Sequence, residues 1–150
     1  KLTRDVAPKL GLAKPGDILS KFLPGLTGSK MSSSKPETAI FTTDSPEEVK
    51  TKIGDAYTGG RDTADEHRRL GGETGKCVVC RYQQVFFGDG EIVRKCGAGE
   101  IMCGENKGVL VERINEMLAG HQKEREKARG KVDKFVPGLG EALEEFGVDV

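Results

Sequence analysis

Hydrophobic residues along this chain fall in short clusters split by glycine and proline, and a sustained helical period sets in only in the second half. Leu2 to Leu10 reads as a short helix stopped by Gly11. Residues Ile18 to Leu23 are apolar enough for a buried strand, and Ala39 to Thr43 for another short one. Residues 29–38 between them carry almost no apolar side chain, which predicts a mobile surface loop unable to anchor itself. At Ser45-Pro46-Glu47-Glu48 the pattern changes to a capping serine, a first-turn proline and a glutamate placed for a capping box. Val49, Ile53 and Ala56 follow at helical spacing, up to a stop at Gly59-Gly60. Thr63 and Glu66 repeat the start signal, and Gly71-Gly72 repeats the stop. Cys77 to Phe87 is predicted helical, with Val78, Val79 and Val85 leaving a strand as the alternative; Gly88-Asp89-Gly90 is a turn, and Ile92, Val93 and Cys96 are part of a further short helix. The longest helix runs from Glu105 to Arg129, with Leu110, Ile114, Met117 and Leu118 as its buried stripe and Gly130 as its end. The acidic stretch Glu141 to Val150 adds a last short helix. The fold class predicted is mainly α: a small αβ portion over residues 1–44, a helical domain over 45–136 and an acidic tail over 137–150.

Composition narrows this picture. The 150 residues are 35% hydrophobic and 32% charged, with six Phe, two Tyr and no Trp, so the core is lean. Positive and negative charges balance, which argues against a general nucleic-acid sponge while leaving room for local basic faces. No stretch approaches the roughly 18 apolar residues of a membrane span, so no membrane association is expected. The chain opens on Lys1 without a signal sequence, which suggests a fragment or processed product from a reducing compartment, the cytoplasm.

Two groups of residues carry candidate chemistry. The first is Lys30-Met31-Ser32-Ser33-Ser34. A lysine on a pliable loop can reach a pyrophosphate leaving group as charge builds on it, and serine hydroxyls and loop amides add donors for phosphate oxygens. The second is Cys77-x2-Cys80 followed by Cys96-x6-Cys103, all four of the chain's cysteines. Four thiolates can hold Zn2+ tetrahedrally or carry an iron–sulfur cluster, or free thiols can simply pack as small hydrophobes. The alternating signs of Lys123, Glu124, Arg125, Glu126, Lys127, Arg129, Lys131, Asp133 and Lys134 predict a plain solvent-facing helix end rather than the alternative, a nucleic-acid contact.

Phe22-Leu-Pro-Gly-Leu26, the Lys30–Ser34 run and Pro36 followed by Ala39-Ile40-Phe41 resemble the second signature of the class I aminoacyl-tRNA synthetases. Tyr57-Thr-Gly-Gly-Arg61, Glu66-His67-Arg68-Arg69-Leu-Gly-Gly72 and Gly99-Glu-Ile-Met-Cys-Gly-Glu105 are similar to the tryptophan branch of that family in its archaeal form. The resemblance implies that residues 1–44 end a Rossmann-type α/β catalytic domain and that a helical anticodon-binding domain follows. It implies ATP with Mg2+, tryptophan and tRNA(Trp) as substrates, and a homodimer as the full-length enzyme. Lys30, Met31, Ser32, Ser33 and Ser34 would bind ATP. Lys30 would be catalytic, because Ser33 stands where the family's full signature has a second lysine. Arg61, His67, Arg68 and Arg69 would face the tRNA. Some tryptophan enzymes carry a [4Fe-4S] cluster on a Cys-x6-Cys-x2-Cys run; this chain matches at Cys96 and Cys103 and has Asn106 at the third place. The family's first signature and amino-acid pocket would lie upstream, so the chain alone is expected to be inactive. A fragment of a tyrosine enzyme and a non-catalytic RNA-binding module derived from a synthetase are the alternatives.

Overall fold

The computed structural model describes residues 2–16, 18, 22–129, 131 and 138, and over these the chain is mainly α. Helix α1 (Leu2–Val6) runs into a 3-10 turn, Ala7–Leu10, which the left-handed Gly11 closes. A second 3-10 turn, Pro36–Thr38, precedes α2 (Pro46–Gly54), α3 (Ala64–Leu70), α4 (Val78–Phe87), α5 (Gly90–Gly97) and α6 (Cys103–Arg129).

The helices begin where side chains can take up the otherwise unpaired first-turn amides. At α2 both halves of the capping box form: the Glu48 amide donates to Ser45 Oγ at 3.3 Å, and the Ser45 amide to Glu48 Oε2 at 2.7 Å. Thr63 Oγ1 accepts from the Glu66 amide at 3.2 Å to start α3, and Asp89 Oδ1 accepts from the Ile92 amide at 2.9 Å to start α5.

Helix α6 is the spine. Asn106, Leu110, Ile114 and Leu118 recur every fourth residue and are all buried, so one narrow row of α6 meets the rest of the molecule. Helix α2 packs on it through Val49 and Ile53, and α4 and α5 pack on each other and on α6. Each such aliphatic side chain contributes about 1.5–3 kcal/mol on burial. Polar groups continue the row inward. Arg113 Nη1 donates to Gln83 Oε1 at 2.8 Å, Gln83 Nε2 to Asn106 Oδ1 at 3.1 Å, and Asn106 Nδ2 to Cys80 Sγ at 3.6 Å.

Several expectations are corrected. Ala39 to Thr43 forms no strand: with no neighbouring strand to pair with, it turns, and the Phe41 amide donates to Asp44 Oδ2 at 2.9 Å. Of the strand expected over 18–23, residues 19–21 lie outside the described residues, while Ile18 and Phe22 are exposed and unpaired. Helix α2 stops at Gly54, short of Gly59-Gly60. Met117 sits beside the buried row of α6 and is exposed. The end at Gly130 and the helix expected over Glu141–Val150 lie outside the described residues. Among those described, no helix is long and apolar enough to cross a membrane.

Candidate nucleotide-binding loop

The Lys30–Ser34 segment forms a small hairpin standing on the helical body. A single antiparallel bridge pairs Ser32 with Lys35, the Lys35 amide donates to the Ser32 carbonyl at 3.1 Å, and Ser33 and Ser34 form the exposed tip. Lys30 is exposed at its base, and the next residue, Met31, packs against the core. The expectation of a segment without anchors is therefore corrected. The anchor is polar: Thr38 is buried, and its Oγ1 accepts from the Ser32 amide at 3.0 Å while donating to the Lys35 carbonyl at 2.7 Å.

A backbone collar holds the hairpin from the other side. The Gly25 amide donates to the Ser29 carbonyl at 2.7 Å, and the Leu26 amide to the Thr38 carbonyl at 2.9 Å. Leu26 is fully buried, its carbonyl accepts from the Tyr57 amide at 2.8 Å, and Tyr82 Oη donates to the Pro24 carbonyl at 3.1 Å. Loop and helices thus share one core. Burial pushes the Tyr82 phenol up to about 12. A cleft of about 540 Å³ opens beside the collar, but Glu37, Asp44, Glu48 and Asp55 line it with Lys52 as the only cation among the described residues. A wall of that charge is ill suited to polyphosphate.

The residues expected to meet tRNA divide. Arg68 and Arg69 on α3 are exposed, Arg68 pairing with Asp65 at 3.2 Å. Arg61 turns inward: Nε donates to the Gly71 carbonyl at 2.9 Å and Nη1 to Glu73 Oε1 at 2.9 Å, bracing the turn after α3. His67 is corrected outright. It is 2% exposed, with Nε2 at 3.2 Å from the Ile101 carbonyl, so it ties α3 to the segment before α6 and has no face to offer RNA.

The match that decides the family runs over residues 1–119, to the profile of the tRNA synthetases class I (W and Y). The chain belongs to the class I aminoacyl-tRNA synthetases. It is 49% identical over 143 residues to the tryptophan–tRNA ligase of Thermococcus onnurineus and 47% over 140 residues to that of Pyrobaculum calidifontis. Both alignments take in 90% of this chain and 37% of the relative, so the chain spans little more than a third of the length of the curated relatives it matches. The tryptophanyl-tRNA synthetase of Aeropyrum pernix K1 superposes with a TM-score of 0.77 at 41% identity, over 86% of this chain and 38% of that one. The tyrosyl-tRNA synthetase of the same species superposes at 0.57 and 29%, over 77% and 37%.

The synthetase-family chain gathers three of its four thiols at the start of α4. Cys77 is the N-cap, its Sγ accepting from the Cys80 amide at 3.4 Å, and Cys77, Cys80 and Cys96 are all buried. The neighbouring Cys77 and Cys96 thiols, together with burial, push the Cys80 thiol far up. The hydrogen bond from Cys80, with help from backbone amides of Cys80, Gly59 and Val79, holds Cys77 down at about 6. Cys103 is only half-buried, at the mouth of α6, where a Cβ on Gly60 would meet its Sγ at 3.0 Å. Among the described residues no group of three or more His, Cys, Asp or Glu side chains is placed to hold a metal ion. The Zn2+ or [4Fe-4S] centre expected from Cys77, Cys80, Cys96 and Cys103 therefore does not fit the side chains as they stand. Asn106 occupies the space beside Cys80.

Proposed function

We propose that this chain is the part of a tryptophan–tRNA ligase that closes on ATP and faces tRNA(Trp). The observation that carries the reading is the exposed Lys30 at the base of a hydrogen-bonded hairpin fixed to the helical body. The activating reaction is attack of the tryptophan carboxylate on the α-phosphorus of ATP. The new carboxyl–phosphate bond forms as the bond to the bridging oxygen breaks, and pyrophosphate departs with the electron pair. Mg2+ accompanies the nucleotide as part of the substrate and offsets its charge. The Lys30 ammonium meets the charge growing on the leaving phosphates, and the amides and hydroxyls of Ser32, Ser33 and Ser34 supply further donors. Donors made useful only as charge develops lower the barrier without tightening ground-state binding.

Residues 1–44 form the end of the catalytic domain in this reading, and 45–136 the anticodon-facing helical domain. Arg68 and Arg69 present their cations to the phosphate backbone. The better superposition on the tryptophan enzyme than on the tyrosine enzyme of one species supports the choice of amino acid. The reading includes a homodimer in the cytoplasm, where tRNA and ATP are at hand, and it routes no step through a bound metal centre at the cysteines.

The test is Lys30→Ala in the complete protein that carries this chain. Tryptophan-dependent pyrophosphate exchange falls roughly 100-fold or more, equivalent to about 2.7–4 kcal/mol for one charge-stabilising donor, while tryptophan binding is unchanged. An exchange rate equal to wild type overturns the assignment.

A further inference from the structure

Among loop residues the polar hub is one that no signature pattern marks. We infer that Thr38 is a positioning residue for Lys30: its buried hydroxyl fastens the Lys30–Lys35 hairpin in the shape that aims the lysine. This rests on the reading of the hairpin as the element that closes on ATP.

Thr38 is 3% exposed, although residues 33–37 just before it are all exposed. Its single hydroxyl bridges the two arms of the hairpin, accepting from the Ser32 amide at 3.0 Å and donating to the Lys35 carbonyl at 2.7 Å. Its own carbonyl accepts from the Leu26 amide at 2.9 Å, on the collar fixed to the core. Thr38 therefore joins both hairpin arms through its hydroxyl and the collar through its backbone carbonyl. The serines cannot substitute. Ser33 and Ser34 stand in solvent, and Ser32 Oγ is engaged with Ser34 Oγ at 2.9 Å. Lys30 is two residues from the clasped Ser32 amide, and Met31 between them packs on the core, so the clasp and the Met31 contact together fix the backbone from which the lysine projects. An oriented charge in the reacting geometry is worth far more than a mobile one, because the ordering has been done before the transition state.

Thr38→Val keeps the shape and removes the hydroxyl; Thr38→Ser keeps the hydroxyl. In the complete protein, Thr38→Val lowers kcat for adenylate formation about 10- to 100-fold, leaves KM for tryptophan unchanged, and speeds hydrogen exchange at the Ser32 amide. Thr38→Ser restores both kcat and Ser32 protection. Thr38→Ala, which removes the hydroxyl without adding a methyl group, replaces the valine variant if that one does not fold. Wild-type kcat in the hydroxyl-less variant, while Lys30→Ala is impaired, overturns the inference and leaves the loop reading standing. Lost activity with unchanged Ser32 exchange, or without rescue by serine, also overturns it. Wild-type activity in Lys30→Ala instead overturns the loop reading itself, and with it this inference.

Discussion

Gly25→Ala tests the packing that carries the hairpin. Gly25 does not have a positive φ, so its backbone conformation is open to alanine, and only space forbids the change. A Cβ there would stand 2.6 Å from the Thr38 carbonyl oxygen, 3.1 Å from that of Ser29 and 3.3 Å from the Met31 amide nitrogen. All three are backbone atoms, so no flexible side chain can swing aside. Relief requires the collar to part from the hairpin, and that lengthens the Leu26-to-Thr38 and Gly25-to-Ser29 hydrogen bonds, now 2.9 and 2.7 Å. At about 0.5–1.5 kcal/mol each, their loss costs about 1–3 kcal/mol in all. Denaturant unfolding would register that cost, and a thermal midpoint would fall by roughly 4–12 °C if the helical body unfolds as one unit. Hydrogen exchange should localise it to the Leu26 amide. Gly16→Ala, where a Cβ meets nothing within 4 Å, is the control. Equal stability of Gly25→Ala and the control would refute the argument that the hairpin is held by close backbone approach.

Tyr82 predicts an alkaline transition. Its phenol is raised to about 12 from an ordinary 10, so the stability it lends is whole below pH 10 and is lost as pH rises towards 12. Unfolding followed between pH 8 and 12 should show wild type losing stability in that window relative to Tyr82→Phe, which cannot ionise; parallel pH curves would contradict it. Cys77 predicts a capping effect: Cys77→Ala lowers stability by about 0.5–2 kcal/mol and Cys77→Ser, which keeps an acceptor for the Cys80 amide, restores most of it. A chelator added to wild type leaves its melting curve unchanged; a large chelator-dependent shift would show that the thiols hold metal after all.

The helices were legible because their starts are local chemistry. Ser45 with Glu48, and Thr63 with Glu66, satisfy first-turn amides from three residues away, so nothing distant is needed to recognise them. The i+4 row of α6 was legible through Leu110, Ile114 and Leu118, and it misled at its edges. Hydrophobicity alone put Met117 in the row and left Asn106 out. Asn106 is fully buried because Gln83 and Cys80 satisfy its amide, and that pairing depends on α4 lying against α6. The strand expected over Ala39 to Thr43 failed for a related reason. A strand needs a partner, and apolar residues such as Ile40 can instead pack on a helical core from a turn.

The candidate site shows the same division between residue type and surroundings. Lys30 was nominated from its residue type, since a lysine among serines offers donors suited to phosphate oxygens, and the structure leaves it exposed. Thr38 was not, since one threonine in a polar stretch carries no periodicity, and its burial follows from a fold built around Leu26. His67 reversed its apparent role. In sequence it belongs to a run of cations, yet the helical turn that exposes Arg68 and Arg69 carries their neighbour inward, to the Ile101 carbonyl. The cysteines were ambiguous in principle. Positions i and i+3 share a face when both lie within a helix, which suits a metal. The same spacing places a cap residue beside the amide it accepts from when the first lies just outside the helix. A helix boundary between Cys77 and Val78 decides between them, and here it falls so that Cys77 caps α4. Spacing alone cannot locate that boundary to one residue, so a Cys-x2-Cys pair specifies its chemistry only together with the start of its helix.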